Sequence, residues 1–356
     1  MADRLTLPIM LAANAPPRAA APAASAQATL TVVDEFVVPA YRRLADATKR
    51  NEAGWDAFAA AREKSNFAML RAGYNLVADA WAMAQIIKTG PASLFLRYER
   101  FAYWPEARNA TGRALDALLA SRDAKDLTPE SLATNSVAGQ GLTALERILY
   151  DGDDPAALLR APGAAGARRV QVGLAISRNL TLIANELARD WTAPNGVRAA
   201  IAAGRGWNNL FVNGTEASSL LLTDLVGAFR LMHDVKLLPV LGDGVDTARP
   251  RMAEAWRSKR AQRDLSINLE ASRSMAMAFA RRLRPERKAR MEADFAAAER
   301  AVTAVPVDLG AAAANPAQRP RVIAAQAAIR KIQLEVADVL PTALGITLGF
   351  NALDGD

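Results

Sequence analysis

The chain has no cysteine and a single histidine, His233. The first absence removes disulfides, thiol catalysis, Cys-ligated zinc, iron–sulfur clusters and a lipidated cysteine at the N-terminus. The second excludes any zinc site that needs two or three imidazoles, the HExxH hydrolases among them. Runs of alternating β-branched residues are nearly absent, and no apolar stretch approaches the ~18 residues of a membrane span. The most apolar runs, 220–222 and 339–348, are broken by Thr223 and Asp224 or by Pro341 and Gly345. A diffuse positive charge is missing too. The whole chain carries +7, and residues 249–300 alone hold fourteen Lys/Arg against seven Asp/Glu, which accounts for all of it. A surplus so local, with no base-reading motif, is not the footprint of a nucleic-acid binder.

What is present points to helices. At 356 residues, 51% hydrophobic and 23% charged, the chain is long enough for two ordinary domains and too apolar to be mostly disordered. Alanine, Leu, Arg and Glu are strong helix formers. Apolar residues recur at three- and four-residue steps from Val33 through Leu44, which predicts one helix over 28–51 with Pro39 as a kink. Further helices are expected over 55–89, 112–120, 131–150 and 166–191, then over 211–238, 250–283, 285–304 and 320–340. Thr128-Pro129 starts the 131–150 helix with a capping residue and a first-turn proline. The turn at 192–196 divides two sets of four or five amphipathic helices. The expected fold is all-α, with two helical bundles packed against each other: an N-terminal one over 27–192 and a C-terminal one over 193–356.

The first 26 residues stand apart. A short apolar run, 5–13, is followed by a Pro/Ala-rich stretch ending in Ala24-Ser25-Ala26, the small-x-small form of a signal-peptidase site. The charge ahead of that run is weak, since Asp3 offsets Arg4, so the segment reads either as an export signal or as a leader or linker. On both readings residues 1–26 lie outside the fold.

Chemistry-bearing residues are sparse. Gly141, Thr143 and Glu146 open an amphipathic segment whose Leu142, Leu145, Ile148 and Leu149 form the apolar stripe; Thr143, Glu146 and Tyr150 share an adjacent stripe. A carboxylate there can accept a hydrogen bond or a proton, or be an ordinary surface glutamate beside Arg147. His233 and Asp234 flank an apolar helical face and are a candidate site at the interface of the halves. Trp104 and Trp207 are either cleft-lining or core aromatics. The Asp/Asn/Gly-rich end, Asn351–Asp356, lacks the EF-hand pattern. Arg249–Arg300 has Glu and Asp partners at helical spacing, so a solvated face competes with contact to an anionic membrane surface or acidic partner.

The segment Gly141-Leu142-Thr143-Ala144-Leu145-Glu146 followed by Arg147-Ile148-Leu149-Tyr150 resembles the imelysin-like family of bacterial envelope proteins linked to iron uptake. Phe101-Ala102-Tyr103-Trp104-Pro105, the run 118–123, Asp234-Val235-Lys236-Leu237, Trp256-Arg257-Ser258 and the ending 344–356 carry the likeness from about residue 30 onward. The family motif is Gly-x-His-x-x-Glu, and Thr143 stands where the His belongs. The resemblance implies an imelysin-like fold, a crevice site between the halves, a periplasmic or cell-envelope location, and a role in an iron-uptake system. It also implies a possible divalent metal or iron ligand and, from the family name, a metallopeptidase. The residues argue against the last two. A neutral hydroxyl is a poor metal ligand, and no second imidazole or thiolate exists to complete a shell. The expectation is therefore a non-catalytic protein that binds an unidentified small ligand or envelope partner. Glu146 should be partly buried at the junction, near a cation, with Thr143 as a hydroxyl donor.

Overall fold

The computed structural model describes residues 21–106 and 108–346. In chain order the helices are α1 (Ala21–Val32), α2 (Val38–Ala60), α3 (Phe67–Ala84), α4 (Arg97–Phe101), α5 (Ala110–Ala120), α6 (Pro129–Thr134), α7 (Leu142–Tyr150), α8 (Pro155–Arg160) and α9 (Gly163–Thr192). They continue with α10 (Val197–Ala202), α11 (Gly214–Arg230), α12 (Leu238–Leu241), α13 (Ala261–Phe279), α14 (Pro285–Thr303), α15 (Leu309–Ala313) and α16 (Arg319–Leu344). Among the described residues the only β pairing is a single bridge between Trp207 and Phe211. The fold is all-α, with two helical bundles packed together.

In the first bundle α2 lies between α3 and α9. Its buried side chains Tyr41, Leu44, Thr48, Asn51, Trp55 and Phe58 follow the three- and four-residue spacing of one helical stripe. An added Cβ at Gly173 of α9 would fall 2.2 Å from the Trp55 ring, so a glycine lets the two helices close over that indole. The second bundle is built from α11, α13, α14 and α16. Val322, Ala325, Ile329, Ile332, Val336 and Leu340 supply the inward stripe of α16. α13 packs on α3, which joins the bundles.

Pro39 does not kink the first helix in the usual way. α1 runs into α2 through a π-helical turn, Val33–Val37, where the Val38 N–H donates to Val33 O. A proline donates no hydrogen bond and its ring crowds the carbonyl four residues back; widening the preceding turn lets the helix pass it unbroken. The same device recurs at a second π turn, Leu231–Leu237, where the Leu238 N–H donates to His233 O ahead of Pro239.

Other boundaries differ from expectation. α1 starts at Ala21, so residues 21–26 are helical and not outside the fold; the alanine-rich run has the propensity, and α11 and α13 give α1 a surface to pack on. Residues 1–20 and the C-terminal Asn351–Asp356 lie outside the described residues. The expected 55–89 helix breaks at 61–66, where Asn66 caps α3 by accepting from the Ala68 N–H. The expected 250–283 helix starts only at Ala261. Ahead of it, residues 253–260 form an irregular loop with Ala255 and Lys259 at positive φ. The expected 131–150 helix divides into α6, a 3-10 turn at Val137–Gly139, and α7. Thr128 does cap α6, its hydroxyl accepting from the Ser131 N–H at 3.2 Å.

Candidate functional site

Close backbone contact places the start of α7. Gly141 is extended (φ −127°), and a Cβ there would lie 2.4 Å from Phe101 O and 2.6 Å from Arg100 O. Only a residue without a side chain lets the α7 entry lie on the end of α4. A buried polar knot holds the approach. The Arg100 guanidinium donates to Gln140 Oε1 (2.8 Å) and Asn179 Oδ1 (3.2 Å), and Asn179 Nδ2 donates to Gln140 O (2.9 Å).

One turn further on, Glu146 is 2% exposed. Its Oε1 accepts two hydrogen bonds from Ser258, in the 253–260 loop: from the backbone N–H at 2.8 Å and from the hydroxyl at 2.7 Å. Burial pushes the Glu146 carboxyl above the usual range. The two Ser258 donors and the Arg257 charge pull it back, and Asp151 adds to the rise. Arg257 is held by Asp151 (2.7 Å), whose other oxygen takes Arg147 Nε at 2.9 Å. Thr143 does not serve Glu146. Its hydroxyl donates to Tyr103 O at 3.1 Å. The Glu146 partner is instead Ser258, inside the Trp256-Arg257-Ser258 landmark.

Glu146 and Thr143 line a cavity of about 340 Å³ where α3, α7, α13 and the 253–260 loop meet. Trp104, Trp256, Tyr74 and Trp81 supply aromatic wall, and Glu254 and Asp264 add two carboxyls. Behind the wall the charges are paired. Lys236 forms an ion pair with Glu254 and donates to Gln85 Oε1 (2.9 Å) and Asn268 Oδ1 (2.5 Å). Asp264 meets Arg260 Nη2 at 2.7 Å, and Arg260 also pairs with Asp79. Burial, reinforced by the Glu254 charge, pushes the Asp264 carboxyl up to about 7, against the pull of Arg260 and Lys236. Burial, reinforced by the Glu146 and Asp264 charges, drives the Tyr74 hydroxyl well above its ordinary value.

His233 and Asp234 are not brought into this site. The His233 ring pairs with its own neighbour Asp234, and neither residue lines the cavity. From the same π turn it is Lys236 that points inward. Of the aromatic candidates, Trp104 lines the cavity, Phe101 is buried and stacks on Trp81 at 4.5 Å, and Trp207 donates to Asn195 O outside the cavity. Much of the basic stretch is answered by carboxylates from other elements: Arg263 by Asp79, Arg281 by Glu35, Arg290 by Glu335 and Lys259 by Asp308.

The donor set does not suit a metal. Among the described residues no group of three or more His, Cys, Asp or Glu is placed to hold an ion. Glu146 Oε1 is engaged by two protein donors, and the position three residues before it, where a metal-binding pair would need an imidazole, carries Thr143, whose hydroxyl faces a carbonyl. No helix among the described residues is long and apolar enough to cross a membrane.

The family model described as Imelysin matches residues 37–336. The fold resembles the crystal structure of an imelysin-like protein from Psychrobacter arcticum 273-4, with 17% identity, a TM-score of 0.73, and coverage of 92% of this chain and 98% of that one. It also resembles a structure from Parabacteroides distasonis ATCC 8503, named as that of an "iron-regulated protein A precursor", with 15% identity, a TM-score of 0.71, and coverage of 92% and 97%. No curated protein matches.

Proposed function

The chain belongs to the imelysin family, and from that premise we propose that it is a non-catalytic, exported ligand-binding member acting in an iron-uptake-related system. The observation that carries the reading is the state of Glu146. It faces an aromatic-walled cavity between the bundles, yet its hydrogen bonds come from Ser258 and its motif neighbour Thr143 is turned to Tyr103 O. A cavity of this size, with aromatic walls and polar groups along its lining, suits a small ligand. A metallopeptidase needs fixed metal ligands, an activated water and a general base, and the donor set here supplies no such shell. The iron-related role rests on the family and on the name of the Parabacteroides relative. Export rests on Ala24-Ser25-Ala26. Cleavage there leaves Gln27 as the first residue, still inside α1.

Two measurements test this. Purified protein supplemented with zinc or iron is expected to hydrolyse no peptide; hydrolysis that disappears in Glu146→Gln would make the peptidase reading correct. Thr143→His restores the family motif. Because Ser258 already engages Glu146, calorimetric titration of that variant with zinc and iron is expected to show no gain in affinity. A gain that Glu146→Ala removes would mean that one substitution separates this chain from a metal site.

A further inference from the structure

The charged groups lining the cavity can be matched one by one. Glu106 has Arg147 at 3.5 Å, and Glu254 has Lys236. Asp264 has Arg260 at 2.7 Å, and Arg257 has Asp151 at 2.7 Å. Two are left. Among the described residues no cation lies in ion-pair contact with Glu146, and no carboxylate with Arg251.

The two differ in depth. Glu146 is buried, with both Ser258 donors on Oε1 and no hydrogen bond to Oε2 from the described residues. Arg251 is exposed at the rim, its guanidinium over the Trp256 ring at 5.3 Å. A buried carboxylate with a free oxygen is costly to leave uncompensated, and a cation with several donors is what offsets it. A guanidinium already stacked and only partly solvated recognises a carboxylate or a phosphate through its planar fork. The same cavity is lined by the apolar and aromatic side chains of Leu142, Trp81, Trp104 and Met252.

We infer that this cavity binds a small zwitterion, its ammonium group seated on Glu146 Oε2 and its anionic group on Arg251, with an apolar body against the tryptophans. The site thus takes molecules of the amino-acid class in place of a bare metal ion. This rests on the ligand-binding reading of the same cavity and narrows it to one ligand chemistry. An ammonium seated there opposes the rise that burial imposes on the Glu146 carboxyl, since a cation favours its ionised form.

The test uses the full chain and a series of ω-amino acids of increasing length, from glycine through 4-aminobutyrate to 6-aminohexanoate, with leucine as the apolar-bodied member. Each is titrated by calorimetry beside the amine and the acid of matched length. At least one zwitterion is expected to bind saturably and at least tenfold more tightly than either single-charge analogue. Arg251→Gln, a rim change that removes no buried contact, is expected to abolish that advantage and leave the matched amine unaffected. Glu146→Gln is expected to abolish amine and zwitterion binding alike. The inference is overturned if no member binds, if amine and zwitterion bind equally, or if Arg251→Gln changes nothing. The broader reading fails on different evidence: peptide hydrolysis or a metal-dependent signal. Absence of both with no zwitterion binding overturns only the ligand class.

Discussion

Ser258→Ala tests the central contact. The substitution deletes a hydroxyl 2.7 Å from Glu146 Oε1 and leaves the backbone N–H donor at 2.8 Å in place. A hydrogen bond to an ionised group contributes ~1.5–3 kcal/mol, and a neutral one ~1 kcal/mol. The hydroxyl also lies 3.2 Å from Ala255 O, but its single proton goes to the shorter bond with Glu146. Burial holds the Glu146 carboxyl above its unfolded value. The folded state therefore binds this proton more tightly than the unfolded chain does. That contribution to stability is present in full below the unfolded carboxyl pKa and is lost as pH rises through the folded one. The Ser258 donors limit the loss. Without the hydroxyl the ionised carboxylate is less well compensated, so the cost of the substitution grows with pH. Urea unfolding is expected to show a loss of about 1 kcal/mol below the unfolded carboxyl value, near pH 4, and about 2–3 kcal/mol near pH 8.5. In a Glu146→Gln background the same substitution is expected to cost the same at both pH values, because nothing there ionises. An equal cost at both pH values with Glu146 intact would refute the reasoning. So would a pH dependence that survives Glu146→Gln.

Two further outcomes follow from the packing and from a second buried carboxyl. Gly141→Ala forces a methyl against Phe101 O at 2.4 Å and is expected to destabilise by about 3 kcal/mol in chemical denaturation. Gly54→Ala, where nothing lies within 4 Å, is expected to stabilise by ~0.5–1 kcal/mol, and equal effects of the two would show that the close approach is not what requires Gly141. Asp224 of α11 accepts from the Lys88 and Thr89 N–H groups (3.0 and 2.9 Å) and from the Thr89 hydroxyl (2.7 Å), tying the bundles together. Burial nevertheless pushes its carboxyl up to about 6. Being raised on folding, it stabilises fully below the unfolded value and loses about 3 kcal/mol as pH rises from about 4 through about 6. Asp224→Asn is expected to flatten that part of the stability–pH curve, and parallel curves for the two proteins would contradict the assignment.

Much of this molecule was readable without a structure. The stripe of Tyr41, Leu44, Thr48, Trp55 and Phe58 is a property of spacing along the chain, and so are the inward face of α16 and the Thr128 cap. Local interactions at three- and four-residue separation determine them, so the all-α class followed from sequence. The motif likeness likewise located Gly141, Thr143 and Glu146 and marked the Trp256-Arg257-Ser258 run. Periodicity was less informative where the helix is interrupted for a tertiary reason. The split at 135–141 arises because Gly141 must meet the α4 backbone, and the irregular 253–260 loop is held by contacts to Glu146, Asp151 and Lys236. The partner of Glu146 lies 112 residues away, and Lys236 is 151 residues from Gln85. No local pattern specifies which side chains meet at such separations. The sequence by itself determined the helices, their buried faces and the carboxylate at the motif. Only the packing of one bundle on the other decided that this carboxylate would be hydrogen-bonded by Ser258 at the edge of a cavity, because desolvation and hydrogen-bond partners are properties of the assembled interface.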